Sequence, residues 1–184
     1  MDAPVDPDAM LMLAYARGDL AAFEALYAKH RGVLYRFLLR SLRDPQRTDE
    51  LFQETWSRVI GARERYRPDA KFSTWLLQIA HNLVVDRFRR QRPQATPEET
   101  DAVMRTLDAP EEDRPERALS EFEQRRRLQL ALEELPEEQR LAFVLRIENG
   151  MGLEEIGAIT HVGRETVKSR LRYALARIRA RMQS

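Results

Sequence analysis

The chain has 184 residues, 43% of them hydrophobic and 33% charged, with a formal net charge of +1. That balance allows one ordinary domain or two small ones and excludes a bilayer-embedded or wholly disordered chain. No cysteine is present, which removes disulfides, thiolate metal sites and cysteine nucleophiles. The opening MDAPVDPDAM lacks the basic start and apolar stretch of a secretory leader, and no apolar run approaches the roughly 20 residues that span a bilayer. A cytoplasmic protein without membrane insertion is expected.

In chain order the pattern is helical, with no convincing alternating strand. Asp19 is placed to cap a helix from Leu20 to about Leu42, whose apolar residues Phe23, Leu26, Tyr27, Leu34, Phe37 and Leu38 recur at three- and four-residue steps. Asp44-Pro45 opens the next, since proline's fixed φ suits a first turn; it carries Leu51, Phe52, Trp56, Val59 and Ile60 and stops near Gly61. A basic loop, ARERYRPDAK, leads to FSTWLLQIAHNLVVDRFRR, expected to open near Ser73 with a stripe of Trp75, Ile79, Leu83 and Val84. Residues 93–115 hold four prolines and no sustained periodicity, the mark of a flexible acidic linker. Beyond it come a helix ending at Leu135, a second from Pro136 closed by Gly150, a short third, LEEIGAIT, and, after HVG, a long fourth, RETVKSRLRYALARIRARM. The expected fold is all-α: two small helical domains, residues 1–92 and 116–184, the second with a helix-turn-helix.

The small net charge conceals an asymmetry. Residues 63–92 hold eight basic and three acidic side chains, residues 94–116 two and eight, and residues 161–184 seven and one. Two positive blocks flanking a negative one suggest surfaces for a polyanion, against the plainer reading of solvated helix faces. On a helical wheel of the last helix, Val167, Leu171, Ala174, Leu175 and Ile178 share one side, expected to pack on Ile156, Ile159 and Leu145. Glu165, Lys168, Ser169, Arg172 and Tyr173 share the other, which suits a major groove, where cations read guanine and carboxylates accept from cytosine. Around the earlier basic loop, Tyr66, Arg67, Lys71 and Phe72 interleave rings with cations, as stacking on unpaired bases requires, while Asn82, Asp86, Arg87 and Arg90 follow on the helix. Tyr66 and Phe72 serve equally well as core anchors on this evidence, and Trp75 better so. Asp49, Glu50, Gln53, Glu54 and Trp56 form an acidic, partly aromatic face suited to a basic protein partner, or else simple helix-start acidity. His30, His81 and His161 show no metal-site spacing, and no phosphate loop or nucleophile motif occurs, so neither an enzyme nor a cofactor is expected.

Taken together, DELFQETW, FSTWLLQIAHNLVVDRFRR, LEELPEEQRLAFVLRIENGMGLEEIGAIT and ETVKSRLRYALARIR resemble, in order and spacing, the sigma-70 family of bacterial RNA polymerase initiation factors, in its small extracytoplasmic-function (ECF) branch. The resemblance implies that Asp49, Glu50, Gln53, Glu54 and Trp56 bind the polymerase clamp helices. It implies capture of the non-template minus-10 strand by the Arg67–Phe72 loop with Asn82, Asp86, Arg87 and Arg90, and reading of the minus-35 element by Lys168, Ser169, Arg172 and Tyr173. The implied partners are core RNA polymerase, promoter DNA and, as for many members, an anti-sigma protein. A stand-alone helix-turn-helix regulator, or a protein that sequesters polymerase, are the alternatives. The chain departs from the family pattern at His161, where glycine is usual and a left-handed backbone costs histidine about 1 kcal/mol, and at Thr160 and Glu165. Thr48, on the clamp-binding face, is a place where a phosphate would add negative charge, although its position alone suggests this and ordinary helix-cap duty is the preferred account.

Overall fold

Helix starts in this chain are written by aspartate and proline. Asp6, Asp19 and Asp44 each accept a backbone N–H in the first turn of the helix that follows, from Asp8, Ala22 and Arg47, all at 3.2 Å. Pro7 and Pro45 occupy first-turn positions, where a missing N–H costs nothing. A computed structural model describes residues 6–91 and 121–183. The linker expected over 93–115 lies outside the described residues. Among those residues run α1 (Pro7–Ala16), α2 (Leu20–Leu42), α3 (Pro45–Ala62), a 3-10 turn at Arg63–Arg65, α4 (Phe72–Gln91), α5 (Glu121–Glu134), α6 (Glu137–Phe143) continuing as a π turn to Glu148, α7 (Leu153–Thr160) and α8 (Arg164–Gln183). They contain no strand.

Helix α2 matches its expected bounds. It ends at Arg43, which adopts the left-handed conformation (φ 57°) and returns its N–H to Leu39 O. Helix α1 is an addition. Its sequence, PDAMLMLAYA, is short and apolar nearly all round, so it offers no amphipathic period to detect. It packs on α2, with Met12 and Tyr15 buried.

In the first unit Leu26, Leu34, Phe37 and Leu38 of α2 meet Leu51 and Val59 of α3 and Phe72, Leu76, Leu77, Ala80 and Val84 of α4. Each of these buried side chains larger than alanine contributes about 1.5–3 kcal/mol over leaving it in water. Leu83 and Val84 of the expected α4 stripe are buried, but Trp75 and Ile79 lie at its half-buried edge. In the second unit Val167 and Leu171 of α8 join Leu145, Ile156 and Ile159, as the wheel requires, while Ala174 and Ile178 pack with Leu132, Leu135 and Phe143. Leu175 departs from that pattern: it is exposed, because at about 100° per residue it lies at the edge of the face that Val167, Leu171, Ala174 and Ile178 turn inward.

The two units touch. α7 lies along α4, and α6 with its π turn meets α2, so one apolar core runs through both. Polar contacts reinforce this seam. Lys71 Nζ pairs with Glu155 Oε1 at 3.0 Å, and Gln78 Nε2 donates to Ala158 O at 3.2 Å. On the other side Arg140 Nη2 donates to Ser41 O at 3.3 Å, Arg40 pairs with Glu148 at 3.1 Å, and Arg43 donates to Glu133 O.

Candidate nucleic-acid interface

Three surfaces carry the residues singled out in the sequence. The first is the N-terminal half of α3. Asp49, Glu50, Gln53 and Glu54 are exposed there, and Asp49 accepts from the Tyr35 hydroxyl, which that hydrogen bond pushes above its usual pKa. Glu50 lies 3.5 Å from Arg87 of α4, and Glu54 pairs with Arg58 at 2.9 Å. Such exposed pairs are worth at most about 1 kcal/mol each, so they leave the face open to a competing basic partner. Trp56 corrects the expectation. It is only 5% exposed, with its ring 5.8 Å from Phe23 and 5.0 Å from Tyr27, because its position on α3 faces α2. Thr48 is corrected as well. It is fully buried and donates to Asp44 O at 2.8 Å, so a modifying enzyme cannot reach its hydroxyl in the folded chain.

The second surface is the loop before α4 and the exposed side of that helix. Arg67 and Lys71 are exposed, as are Asp86 and Arg90, while Asn82 and Arg87 are half-buried. Tyr66 and Phe72 are not available for stacking on bases. They are 3% and 0% exposed, and their rings pack on Trp75 and on each other. Large rings at both ends of a short loop gain more from the core than from water, so they anchor the loop and leave its cations to face outward. Burial, then Asp6, Asp69 and Asp8, pushes the Tyr66 hydroxyl up to about 12, so it stays neutral.

The third surface is α8 and the turn before it. Glu165, Lys168, Arg172 and Tyr173 are exposed and Ser169 is half-buried. The Arg172 guanidinium lies 5.0 Å from the centre of the Tyr173 ring, and Lys168 lies 3.9 Å from Glu165. Arg170, on the inner flank, pairs with Glu138 at 2.8 Å and ties α8 to α6. The turn takes the expected left-handed residue at His161 (φ 56°, ψ 38°). Gly157 makes the turn possible. A Cβ there would stand 2.8 Å from Val162 O.

Glu155 and His161 are participants that sequence reasoning did not place. Glu155 accepts from Gly152 N at 2.8 Å, capping α7, and also from Lys71 and from Thr74 Oγ1 (3.4 Å). The Gly152 bond first, against the opposing cost of burial, and then Lys71 and Thr74, hold its carboxyl below the usual range. The three-residue spacing from Gly152 was the available signal for the cap. Nothing in the sequence announces the Lys71 contact. His161 Nε2 lies 3.1 Å from Asn82 Oδ1, within hydrogen-bond reach. Two members of the second surface, Lys71 and Asn82, are therefore engaged by the second unit, whereas Arg67, Asp86 and Arg90 are exposed.

Residues 26–94 match the Sigma-70 region 2 family, and residues 131–180 match Sigma-70 region 4. The chain is 35% identical over 149 residues to the RNA polymerase sigma factor CarQ of Myxococcus xanthus, covering 80% of this chain and 82% of that protein. It is 31% identical over 171 residues to the ECF RNA polymerase sigma factor SigM of Mycobacterium tuberculosis, covering 93% and 82%. It is 37% identical over 163 residues to the ECF RNA polymerase sigma factor SigE of Mycolicibacterium smegmatis, covering 85% of this chain but only 61% of that longer protein. Among solved structures, CnrH in complex with the cytosolic domain of CnrY superimposes with a TM-score of 0.68 at 23% identity, over 95% of this chain and 96% of that one. The sigma factor RpoE of Bartonella quintana, solved with the anti-sigma factor NepR, gives 0.66 at 19% identity over 88% and 96%. These two likenesses concern the fold.

Proposed function

The chain belongs to the sigma-70 family of promoter-directing RNA polymerase sigma factors, in its ECF branch, and on that premise we propose that its two helical units divide promoter recognition between them. The first unit, within residues 1–92, holds core polymerase through Asp49, Glu50, Gln53 and Glu54. It captures the unpaired minus-10 strand through Arg67, Lys71, Asn82, Asp86, Arg87 and Arg90. The second unit, within 116–184, lays α8 in the minus-35 major groove through Lys168, Ser169, Arg172 and Tyr173, with Glu165 turned to a base edge because phosphates repel it. The segment 93–115 is the tether. The factor works in the cytoplasm, where the polymerase is, and supplies recognition while the polymerase supplies catalysis. An anti-sigma partner that covers these faces is part of the same reading.

The observation that carries it is the separation of charge among exposed faces: an acidic face on α3 and cationic ones before α4 and along α8. Phosphate contacts give affinity and register, and base-edge contacts give sequence preference, so both cationic faces are needed to select one site. A stand-alone regulator would not need the first unit, yet that unit is the one matched by region 2.

The test is charge reversal. Asp49→Lys with Glu50→Lys weakens association with purified core polymerase by about tenfold or more, since like charges now face the partner's basic surface. Run-off transcription falls with it, while the helical content of the free chain is unchanged. Undiminished association would overturn the assignment of the α3 face.

A further inference from the structure

Helix α1 lies outside both family-matched segments, yet it touches both shoulders of the loop that faces the minus-10 strand. At its C-terminal end the Tyr15 ring lies 5.7 Å from the Arg63 guanidinium, in the 3-10 turn just before the loop. At its N-terminal end Asp6 serves two helices at once. Oδ1 accepts from Asp8 N at 3.2 Å and caps α1, while Oδ2 accepts from Phe72 N at 2.6 Å, across 66 residues of sequence. Phe72 is the first residue of α4, and the residue before it, Lys71, cannot cap the helix because its side chain has no acceptor. Asp6 therefore supplies to α4 the acceptor and the negative charge that a helix N-terminus favours. Asp8 fixes the other side of the strap, bonding Lys29 at 2.7 Å and His30 at 2.9 Å, and the His30 ring packs 5.1 Å from that of Phe72.

We infer that Asp6 is a positioning residue for minus-10 recognition: by capping α4 from a separate helix, it holds Phe72, and with it the cations Arg67 and Lys71, in one presentation to the unpaired strand. This rests on the minus-10 role proposed above. A charge-assisted bond to a backbone N–H is among the stronger hydrogen bonds, and its loss frees the loop at its α4 end without touching the α3 or α8 faces. Selectivity is therefore the signature. A defect in Asp6 reaches promoter opening before it reaches polymerase binding.

The experiment uses the full chain with core polymerase on a promoter identified by sequencing transcript 5′ ends, and reads permanganate reactivity of the opened strand beside core-binding affinity. Asp6→Ala is expected to lower opening by about tenfold with core binding within about twofold, and Asp6→Asn, which keeps an acceptor oxygen, to recover most of it. Backbone hydrogen exchange of the free chain at residues 67–72 accelerates in Asp6→Ala and stays slow in Asp6→Asn. Arg67→Ala is the control for the underlying reading. If Arg67→Ala opens the promoter normally, the minus-10 role of the loop fails. If Arg67→Ala is defective and Asp6→Ala opens normally, or loses core binding and opening in equal measure, the inference about Asp6 is overturned and the loop's role stands. Unchanged exchange at residues 67–72 in Asp6→Ala overturns it too.

Discussion

Single side chains in this protein carry loads that their type alone does not disclose. His81 is buried between the units, with its Nδ1 unpartnered and its ring 6.4 Å from that of His161. Burial first, with His161 and Arg170 nearby adding repulsion, pushes it down to about 4, although Asn82 opposes the shift. The folded chain thus refuses a proton that the unfolded chain accepts from pH 6.5 downward. Stability is complete above that value and falls as the pH drops toward 4, by about 3 kcal/mol at most. Urea denaturation at pH 7.5 and 4.5 checks this: His81→Leu is expected to lose much less stability on acidification than the parent. An equal loss in both would place the acid sensitivity elsewhere. Asp8, held low by Lys29 and His30 against the cost of its own burial, adds its loss only at still lower pH.

At the scale of elements, the helix-turn-helix depends on a close approach. The N–H of His161 and that of Val162 both return to Gly157 O, which draws the Val162 carbonyl over the glycine's Cα. Gly157→Ala puts a methyl group 2.8 Å from a backbone oxygen that is itself held by the turn. The expected cost is about 1–3 kcal/mol in thermal or urea unfolding, with minus-35 binding falling in step. An alanine variant as stable as the parent would show that the turn can relax. His161, by contrast, accepts a left-handed backbone and retains a use for its side chain against Asn82, which glycine would forfeit. Helix α1 shows the same dependence between elements, since its start and that of α4 share one carboxylate.

At the scale of the molecule, the second unit sits on part of the surface assigned to the minus-10 strand. Under the proposed minus-10 role, Lys71 and Asn82 would have to leave Glu155 and His161 before meeting a DNA strand, so that role calls for the α4–α7 seam to part. The polar contacts there are individually weak and screened by salt. Lys71→Glu sets two carboxylates face to face and is expected to raise the radius of gyration in small-angle scattering. Combining it with Glu155→Lys restores the ion pair, though not the cap that Glu155 gives α7, and is expected to recover the compact form. If Lys71→Glu leaves the scattering unchanged, the apolar packing of α4 on α7 holds the units together without the ion pair.

The all-α class, the bounds of α2 and the inner face of α8 were legible from sequence because period, caps and prolines are local signals. Arg67, Asp86, Arg90, Lys168 and Arg172 are exposed as expected, for charged groups stay in water unless paired. The rings are less legible: sequence leaves Tyr66 and Phe72 open between stacking and core and sets Trp56 on the acidic face, but all three are buried, and which way a helix turns its aromatics depends on neighbours remote in sequence. Helix α1 was missed because an element apolar on all sides has no period. By itself, then, the sequence determined where helices begin, which faces are charged and which family the chain resembles. Only the tertiary structure decided that Asp6 caps a helix 66 residues away and that Glu155 and His161 rest on Lys71 and Asn82. The reason is physical: capping and amphipathicity are settled within a few residues, whereas partners across a seam are chosen by packing that no local pattern records.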